Sequence, residues 1–144
     1  MFEYEYPRPA LTVDAVVFCI KSGEINVLLI ERKNNPYKDC WALPGGFVDI
    51  DELIDKAVLR ELEEETCLKN VELKRLNVYD AIDRDPRGRT ISVVYYGQVD
   101  EINSIVKGED DAKQAKWFSI KSLPNLAFDH EIVLKDAIKA FKTK

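Results

Sequence analysis

Four glutamates lie close together in the stretch RELEEE, residues 60–65, near the end of a segment with helical periodicity. Acids cost a few tenths to about 1 kcal/mol each at that position, because the C-terminal end of a helix carries a partial negative charge. At about 100° per residue, Glu61, Glu64 and Glu65 continue the apolar stripe of this helix, whereas Glu63 points to the opposite, solvent-facing side. The three aligned acids therefore need a chemical explanation.

Three carboxylates on a buried face must be protonated, paired or bound to a metal, because unpaired buried charge is costly. One neighbouring arginine, Arg60, cannot neutralise all of them. Clustered carboxylate oxygens without cysteine or histidine suit a hard cation such as Mg²⁺ or Mn²⁺. Glu61, Glu64 and Glu65 are therefore candidate metal ligands. The alternative is a solvated acidic helix end with a frayed last turn.

The elements around this helix predict an α/β fold. Two β-branched, apolar runs joined by KSGE indicate a hairpin of largely buried strands, and the amphipathic last segment indicates a helix with Asp129 as its N-cap. Strands on both sides of one helix, with a second helix at the end, favour a mixed sheet between helices. The predicted strands are 11–20, 25–33, 71–82, 90–99 and 115–120, and the predicted helices are 52–66 and 128–144.

Composition narrows the class of protein. With 144 residues, 46% hydrophobic and 33% charged, the chain is expected to form one globular domain over residues 1–144. No signal peptide or membrane-spanning run is evident, and the net charge of −5 argues against nucleic-acid or membrane binding. Three scattered cysteines indicate reduced thiols in a cytoplasmic protein, with Cys19 in the core.

The stretch GGFVDIDELIDKAVLRELEEETCL, residues 45–68, resembles the signature of the Nudix hydrolases, with every charged position filled. The resemblance implies an α/β/α sandwich with a mixed central sheet, in which a loop–helix–loop carries the catalytic site. It also implies that Glu61, Glu64 and Glu65 bind metal together with the Gly45 carbonyl. Arg60 and Glu52 would form an ion pair that orients the loop against the helix; the alternative is an ordinary exposed pair.

Cys67 departs from that signature, because the family has glycine at this position. Glycine there would stop the helix in a left-handed conformation. Cys67 must either adopt that conformation, at very roughly 1 kcal/mol, or end the helix in another way. The departure puts local stability in question rather than metal binding.

Further segments resemble the branch of the Nudix family that includes ADP-ribose pyrophosphatases and NAD-linked regulators. They are YPRPALTVDAVVF, LLIERKNNPYKDCWALPGGFVD, DRDPRGR and LAFDH. The resemblance implies Mg²⁺-dependent hydrolysis of ADP-ribose to AMP and ribose 5-phosphate by a homodimer, with Mn²⁺ as a substitute metal. Two alternatives stay open: a Nudix hydrolase of another nucleotide or sugar nucleotide, and a non-catalytic sensor of an ADP-ribose-like ligand. The intact acids argue against the sensor.

A general base must lie near the attacking water. Glu64 and Glu65 are candidates, and so is Glu109 in the segment GEDD, slightly ahead of Asp110 and Asp111. The alternative for GEDD is a solvated loop.

Arginine and aromatic side chains are the candidate substrate contacts. Arg84 or Arg87 in DRDPRGR could hold the terminal phosphate or ribose through guanidinium forks, the alternative being a charged hairpin loop. Tyr37 and Trp41 could stack on adenine, although Trp41 is also typical of packing. His130, the lone histidine, is expected in the first turn of the last helix rather than in the chemistry.

Overall fold

A computed structural model describes residues 3–100, 106, 108 and 112–143. Within these residues the chain forms seven strands and two helices. In chain order they are β1 (Ala10–Lys21), β2 (Glu24–Arg32), β3 (Trp41–Ala42), β4 (Gly45–Phe47), α1 (Ile54–Thr66), β5 (Lys74–Tyr79), β6 (Thr90–Val99), β7 (Ala112–Ser119) and α2 (His130–Lys142).

The described strands form one mixed sheet in the order β3-β2-β1-β6-β5. Strands β1 and β6 run parallel over the whole length of β6, from the pair Ala10 and Thr90 to the pair Cys19 and Val99. The other pairings are antiparallel, with β7 along β2 and β4 along the beginning of β1. β1 is therefore the central strand, and its first residues lie beside both β4 and β6.

The two helices cover opposite faces of this sheet, as side-chain alternation along β1 shows. Val13, Ala15 and Val17 lie in one buried cluster with α1, and Val16 and Phe18 lie in another with α2. The predicted α/β/α sandwich is confirmed. On the α2 face the alternation continues towards the start of β1 as buried polar residues, Asp14 and Thr12. The sheet surface therefore changes from apolar to polar at this end.

The sequence prediction of elements is close for the long segments. Strand β6 has the predicted bounds, and β1 and β2 differ from them by one residue at each end. Strand β5 is shorter than predicted, and β7 begins earlier, at Ala112. The segment 34–46 lies outside the predicted strands, but it contains β3 and the start of β4, because short stretches of it pair with β2 and β1.

Helix α1 begins at Ile54, two residues later than predicted, with Leu53 at the N-cap position. At its other end Cys67 adopts the left-handed conformation, with φ 64° and ψ 6°, and donates its backbone N–H to the Glu63 carbonyl at 2.8 Å. Cys67 thus takes the first of the two predicted alternatives. Cys19 is buried in the core, as predicted. Neither helix in the described part of the chain is long and apolar enough to cross a membrane.

Candidate active site

A cavity of about 350 Å³ opens at the polar end of the sheet. It is lined by the start of β1, the end of β2 and the segment after it, strands β3 and β4, the end of α1, the loop before β6 and the residues at the start of α2. Its lining includes Gly45, Glu61 and Glu65 of the predicted metal set and Arg84 and Arg87 of the predicted substrate contacts. The structure therefore brings residues from both sets to the same cavity.

The acidic wall of the cavity is formed where α1 packs against β4. Glu65 is only 6% exposed, and its Oε1 accepts the backbone N–H of Gly45 at 2.8 Å. A Cβ at Gly46 would lie 2.6 Å from the Glu61 carboxylate, which no real Cβ contact allows. A side chain at position 46 would therefore displace the Glu61 carboxylate from its place beside β4.

Arg60 holds this wall together. Its Nε and Nη2 donate to the Glu52 carboxylate at 2.7 and 2.9 Å, so the predicted ion pair is present as a two-bond fork. Its Nη1 donates to Glu61 at 2.9 Å and to Glu64 at 3.1 Å, and its Nη2 also reaches the Phe47 carbonyl at 3.1 Å. The hydrogen bonds that Arg60 donates to Glu52 lower the pKa of Glu52, and its bonds to Glu52, Glu64 and Glu61 raise the pKa of Arg60.

The other wall of the cavity carries two further arginine–aspartate pairs. Arg84 is almost fully buried, and its Nε and Nη2 donate to the Asp129 carboxylate at 2.9 and 2.7 Å. Burial lowers the pKa of Arg84, but the hydrogen bonds that Arg84 donates to Asp129, together with the charge of that carboxylate, outweigh burial and the pKa is raised. Asp129 occupies the predicted N-cap position of α2, yet it uses its carboxylate for Arg84 rather than for the helix.

Arg87 forms the second pair, with the buried Asp85. Its Nη2 and Nε reach the Asp85 carboxylate at 2.7 and 3.1 Å, and its backbone N–H donates to the same group at 2.9 Å. Burial raises the pKa of Asp85, but these bonds from Arg87 outweigh it and the pKa is lowered. The Arg87 side chain is 41% exposed, and its guanidinium lies over the rings of Phe47 and Phe128, both of which line the cavity.

A buried polar cluster at the base of the cavity escaped the sequence prediction. Ser92 donates to Asp14 Oδ2 at 2.6 Å, and His130 Nε2 lies 3.8 Å from Asp14 Oδ1. His130 Nδ1 accepts the Leu43 backbone N–H at 3.0 Å. Full burial lowers the pKa of His130, so the ring is neutral at pH 7. The sequence contained one indication of this cluster: Asp14 lies in the middle of an apolar strand segment, TVDAV, where a buried carboxylate needs polar partners.

His130 and the other predicted site residues lie in different places. His130 starts α2, as predicted, but it also lines the cavity. The ring of Tyr37 packs against Phe128, with centroids 4.8 Å apart. The indole of Trp41 packs edge-on against Phe118 in the cluster beneath α2. Glu109 and its neighbours Asp110 and Asp111 fall outside the described residues.

Comparison with known proteins places this geometry in a family. A family model for the NUDIX domain matches residues 9–141, nearly the whole chain. The chain belongs to the Nudix family.

Three related proteins are similar to this Nudix chain in sequence or structure. An ADP-ribose pyrophosphatase of Methanocaldococcus jannaschii is 46% identical over 134 residues, covering 93% of this chain and 76% of that protein. An ADPR responsive transcriptional repressor, NtrR, of Acinetobacter baylyi is 32% identical over 97% of this chain, which spans only 57% of the repressor. The NUDIX domain of Shewanella oneidensis NrtR, solved with ADP ribose, matches with a TM-score of 0.89 at 30% identity, covering 94% of this chain and 90% of that one.

The predicted family and the predicted enzyme class, a Nudix pyrophosphohydrolase, are thereby confirmed. Nudix hydrolases generally use divalent metals, and the acidic wall fits one in its chemistry because all of its donors are oxygens. Glu61 and Glu64 converge on a single positive charge, the Arg60 Nη1 between them. Among the described residues, no three Asp, Glu, His or Cys side chains already converge as a metal site.

Proposed function

We propose that this Nudix protein hydrolyses ADP-ribose to AMP and ribose 5-phosphate in a reaction that requires a divalent metal. The observation that carries the proposal is a single cavity lined both by the acids Glu61 and Glu65 and by Arg84 and Arg87. An anionic pyrophosphate needs positive charge on both sides, from the arginines and from a cation on the acids. The relatives named for ADP-ribose support this choice of substrate.

Mg²⁺ is the proposed metal, with Mn²⁺ as a substitute, held by Glu61, Glu64, Glu65 and the Gly45 carbonyl. When bound, it neutralises the pyrophosphate and lowers the pKa of a coordinated water. The chain itself fixes the ligands. Glu65 is held by the Gly45 N–H, and the Glu61 carboxylate lies against the backbone of Gly46.

Arg60 is proposed to act as an orienting residue through its fork with Glu52. Because the same guanidinium binds the Phe47 carbonyl, it links α1 to β4 and keeps the acids at the edge of the cavity. Glu64 is 39% exposed and hydrogen-bonded to Arg60, so it is the acid with the most freedom to turn. We propose Glu64, Glu65 or Glu109 as the general base.

Arg87 is the proposed contact for the terminal phosphate or ribose, because its guanidinium is part-exposed and lines the cavity. Arg84 is proposed to contribute charge from a fixed position, since Asp129 occupies two of its donors. The proposed stacking role of Tyr37 is indirect, through its contact with Phe128. For Trp41 the packing against Phe118 supports the structural alternative that the sequence left open.

The direct test is to incubate the protein with ADP-ribose and Mg²⁺ and to measure AMP, beside a panel of sugar nucleotides and oxidised nucleotides. We expect AMP from ADP-ribose, no product after chelation with EDTA, and recovery with Mg²⁺ or Mn²⁺. If only a different nucleotide gave product, that nucleotide would replace ADP-ribose as the proposed substrate. Absence of turnover together with thermal stabilisation by ADP-ribose would favour a non-catalytic sensor. This is the second candidate function, and the similarity to the repressor NtrR supports it.

We further propose that the protein is a cytoplasmic homodimer that binds neither nucleic acid nor membranes. The net charge of −5 disfavours both of these anionic partners. Light scattering coupled to gel filtration tests the dimer, for which a monomer of 16.5 kDa at micromolar concentration is the contradicting result.

A further inference from the structure

We propose that Asp14 and His130 form a binding site for a hydroxyl group of the substrate's sugar, at the base of the cavity. This inference rests on the proposed function and adds a substrate class, nucleoside diphosphates whose sugars keep their hydroxyls. His130 Nε2–H donates one hydrogen bond to the hydroxyl oxygen, and the hydroxyl donates a second one to Asp14 Oδ1. A deoxy sugar lacks the group that both residues bind.

The His130 ring presents one hydrogen-bond donor to the cavity. Its Nδ1 accepts the Leu43 backbone N–H at 3.0 Å, so the proton of the neutral ring is on Nε2. Within the described residues Nε2 makes no hydrogen bond, yet no buried side-chain nitrogen or oxygen there lacks a partner. Nε2 is therefore not sealed in the core, and its N–H is a donor that a group in the cavity can reach.

Asp14 presents an acceptor beside this donor. Its Oδ2 accepts from Ser92 at 2.6 Å, and its Oδ1 lies 3.8 Å from His130 Nε2. That distance is too long for a direct hydrogen bond, but one oxygen atom on the cavity side can lie within about 3 Å of both. A hydroxyl both accepts and donates, whereas an ionised phosphate only accepts and is repelled by the Asp14 carboxylate. The pair therefore fits a hydroxyl rather than a phosphate oxygen.

Both groups are held in place by the fold. Asp14 lies on the central strand, which pairs there with Gly45 of β4 on one side and with β6 on the other. A Cβ at Gly45 would lie 2.3 Å from Asp14 Oδ1, so this oxygen stands directly against the β4 backbone. The His130 ring is fixed by the Leu43 N–H and by the Phe128 ring, with centroids 5.4 Å apart. A donor and an acceptor that are already fixed lose little side-chain entropy when they bind a ligand.

The position of the pair limits which sugar can supply the hydroxyl. Gly45 belongs to the proposed metal set, which neutralises the pyrophosphate, and Asp14 Oδ1 lies beside it. The hydroxyl therefore belongs to a sugar that is attached to the pyrophosphate. ADP-ribose has two such sugars, the ribose of the adenosine and the terminal ribose, and the experiment distinguishes between them.

Calorimetric titration with deoxy ligands in the presence of Mg²⁺ tests the site. The ligands are AMP with 2′-deoxy-AMP and 3′-deoxy-AMP, and ribose 5-phosphate with its 2-deoxy and 3-deoxy forms. We expect the loss of one hydroxyl to weaken Kd about tenfold or more in one of the two series, because the His130 donor and the Asp14 acceptor then lose their partner. That series identifies the sugar. A smaller change in both series would overturn the site.

Variants separate recognition from a structural role. Asp14→Val removes the acceptor, and His130→Asn keeps an acceptor for the Leu43 N–H but has no donor at the position of Nε2. In both variants we expect the hydroxyl and deoxy ligands to bind with nearly equal Kd, whereas Asp14→Asn retains part of the preference through its amide oxygen. A structural effect weakens both ligands equally, so an unchanged Kd ratio in variants that melting curves show to be folded would overturn the site.

Asp83→Asn is the matched control, because Asp83 is exposed and lies outside the lining of the cavity. It removes one carboxylate charge, as Asp14→Asn does, and should keep the Kd ratio of the wild type. A preference for the hydroxyl ligands without hydrolysis of ADP-ribose would overturn the proposed function and leave the site standing. Hydrolysis of ADP-ribose without that preference would overturn the site alone.

Discussion

The two walls of the cavity are built in different ways. The acidic wall comes from one continuous segment, residues 45–65, in which β4 and α1 pack together and Arg60 joins them. The opposite wall collects Asp14, Arg84, Arg87 and His130 from separate parts of the chain. The first wall is local and rich in carboxylates; the second depends on long-range contacts and on buried pairs of opposite charge. The four predictions below test that contrast in order of expected effect.

The largest expected effect belongs to the acidic wall. Glu65→Gln keeps an oxygen for the Gly45 N–H but removes the charge that a cation needs, so turnover of ADP-ribose falls about 100-fold or more while the fold survives. Initial rates at saturating Mg²⁺ measure the loss, and melting curves report on the fold.

Glu63→Gln is the matched control for this change, because Glu63 is exposed and points away from the cavity. Its rate stays near that of the wild type. Glu64→Gln is expected to fall with Glu65→Gln. A near-normal rate for either variant would remove that residue from the metal set.

The next effect tests the buried pairs of the opposite wall. Asp129→Asn leaves the Arg84 guanidinium buried without its counter-charge, because the Arg84 side chain is only 4% exposed. We expect a loss of about 3 kcal/mol in the free energy of unfolding, measured by urea denaturation. Glu24→Gln, which removes an exposed pair with Lys121, is the control and should cost less than about 1 kcal/mol. Equal losses of unfolding free energy in both variants would contradict the expectation that a buried charge without its partner costs more than an exposed one.

A smaller effect concerns pH and the neutral His130 at the base of the cavity. Burial lowers its pKa below the ordinary 6.5, so the unfolded state binds a proton more readily and stability falls as the pH drops below about 6.5. The contribution at pH 5 is at most about 2 kcal/mol. The charged groups that act on the ring are Asp14, Asp129, Arg84 and Arg32.

His130→Asn tests this contribution, since its side-chain oxygen can replace Nδ1 as acceptor for the Leu43 N–H. The difference in unfolding free energy between the wild type and the variant should shrink from pH 7 to pH 5. A constant difference over that range would show that His130 does not titrate on unfolding.

The smallest effect is at the end of α1. Cys67→Gly removes the Cβ from a left-handed residue and stabilises the fold by up to about 1 kcal/mol, which is about 2 to 4 °C in melting temperature, with turnover intact. Cys67→Ala keeps the Cβ and should leave the melting temperature unchanged. A large loss of activity in the glycine variant would contradict a purely local role for this residue.

Sequence reasoning predicted the residues whose environment depends on near neighbours. Helical geometry predicted the direction of Glu63 away from Glu65, and the family resemblance implied the Arg60–Glu52 pair; both are present. For Cys67 two alternatives were open, and the structure has the left-handed one. Trp41 and Tyr37 were harder to place, because the direction of a loop side chain depends on its contacts in the fold. Trp41 packs under α2, and Phe128, which had no role in the prediction, faces the cavity.

The sequence by itself determined the family, the order of the longer strands and the helices, and an acidic helix end aligned with the apolar stripe, because these depend on periodicity and spacing over short distances. The tertiary structure decided which groups share the cavity with those acids. The parallel pairing of β1 with β6 brings Ser92 to Asp14, and the packing of α2 adds His130 and the Asp129 partner of Arg84. Such contacts join residues far apart in the chain, so no local pattern in the sequence encodes them.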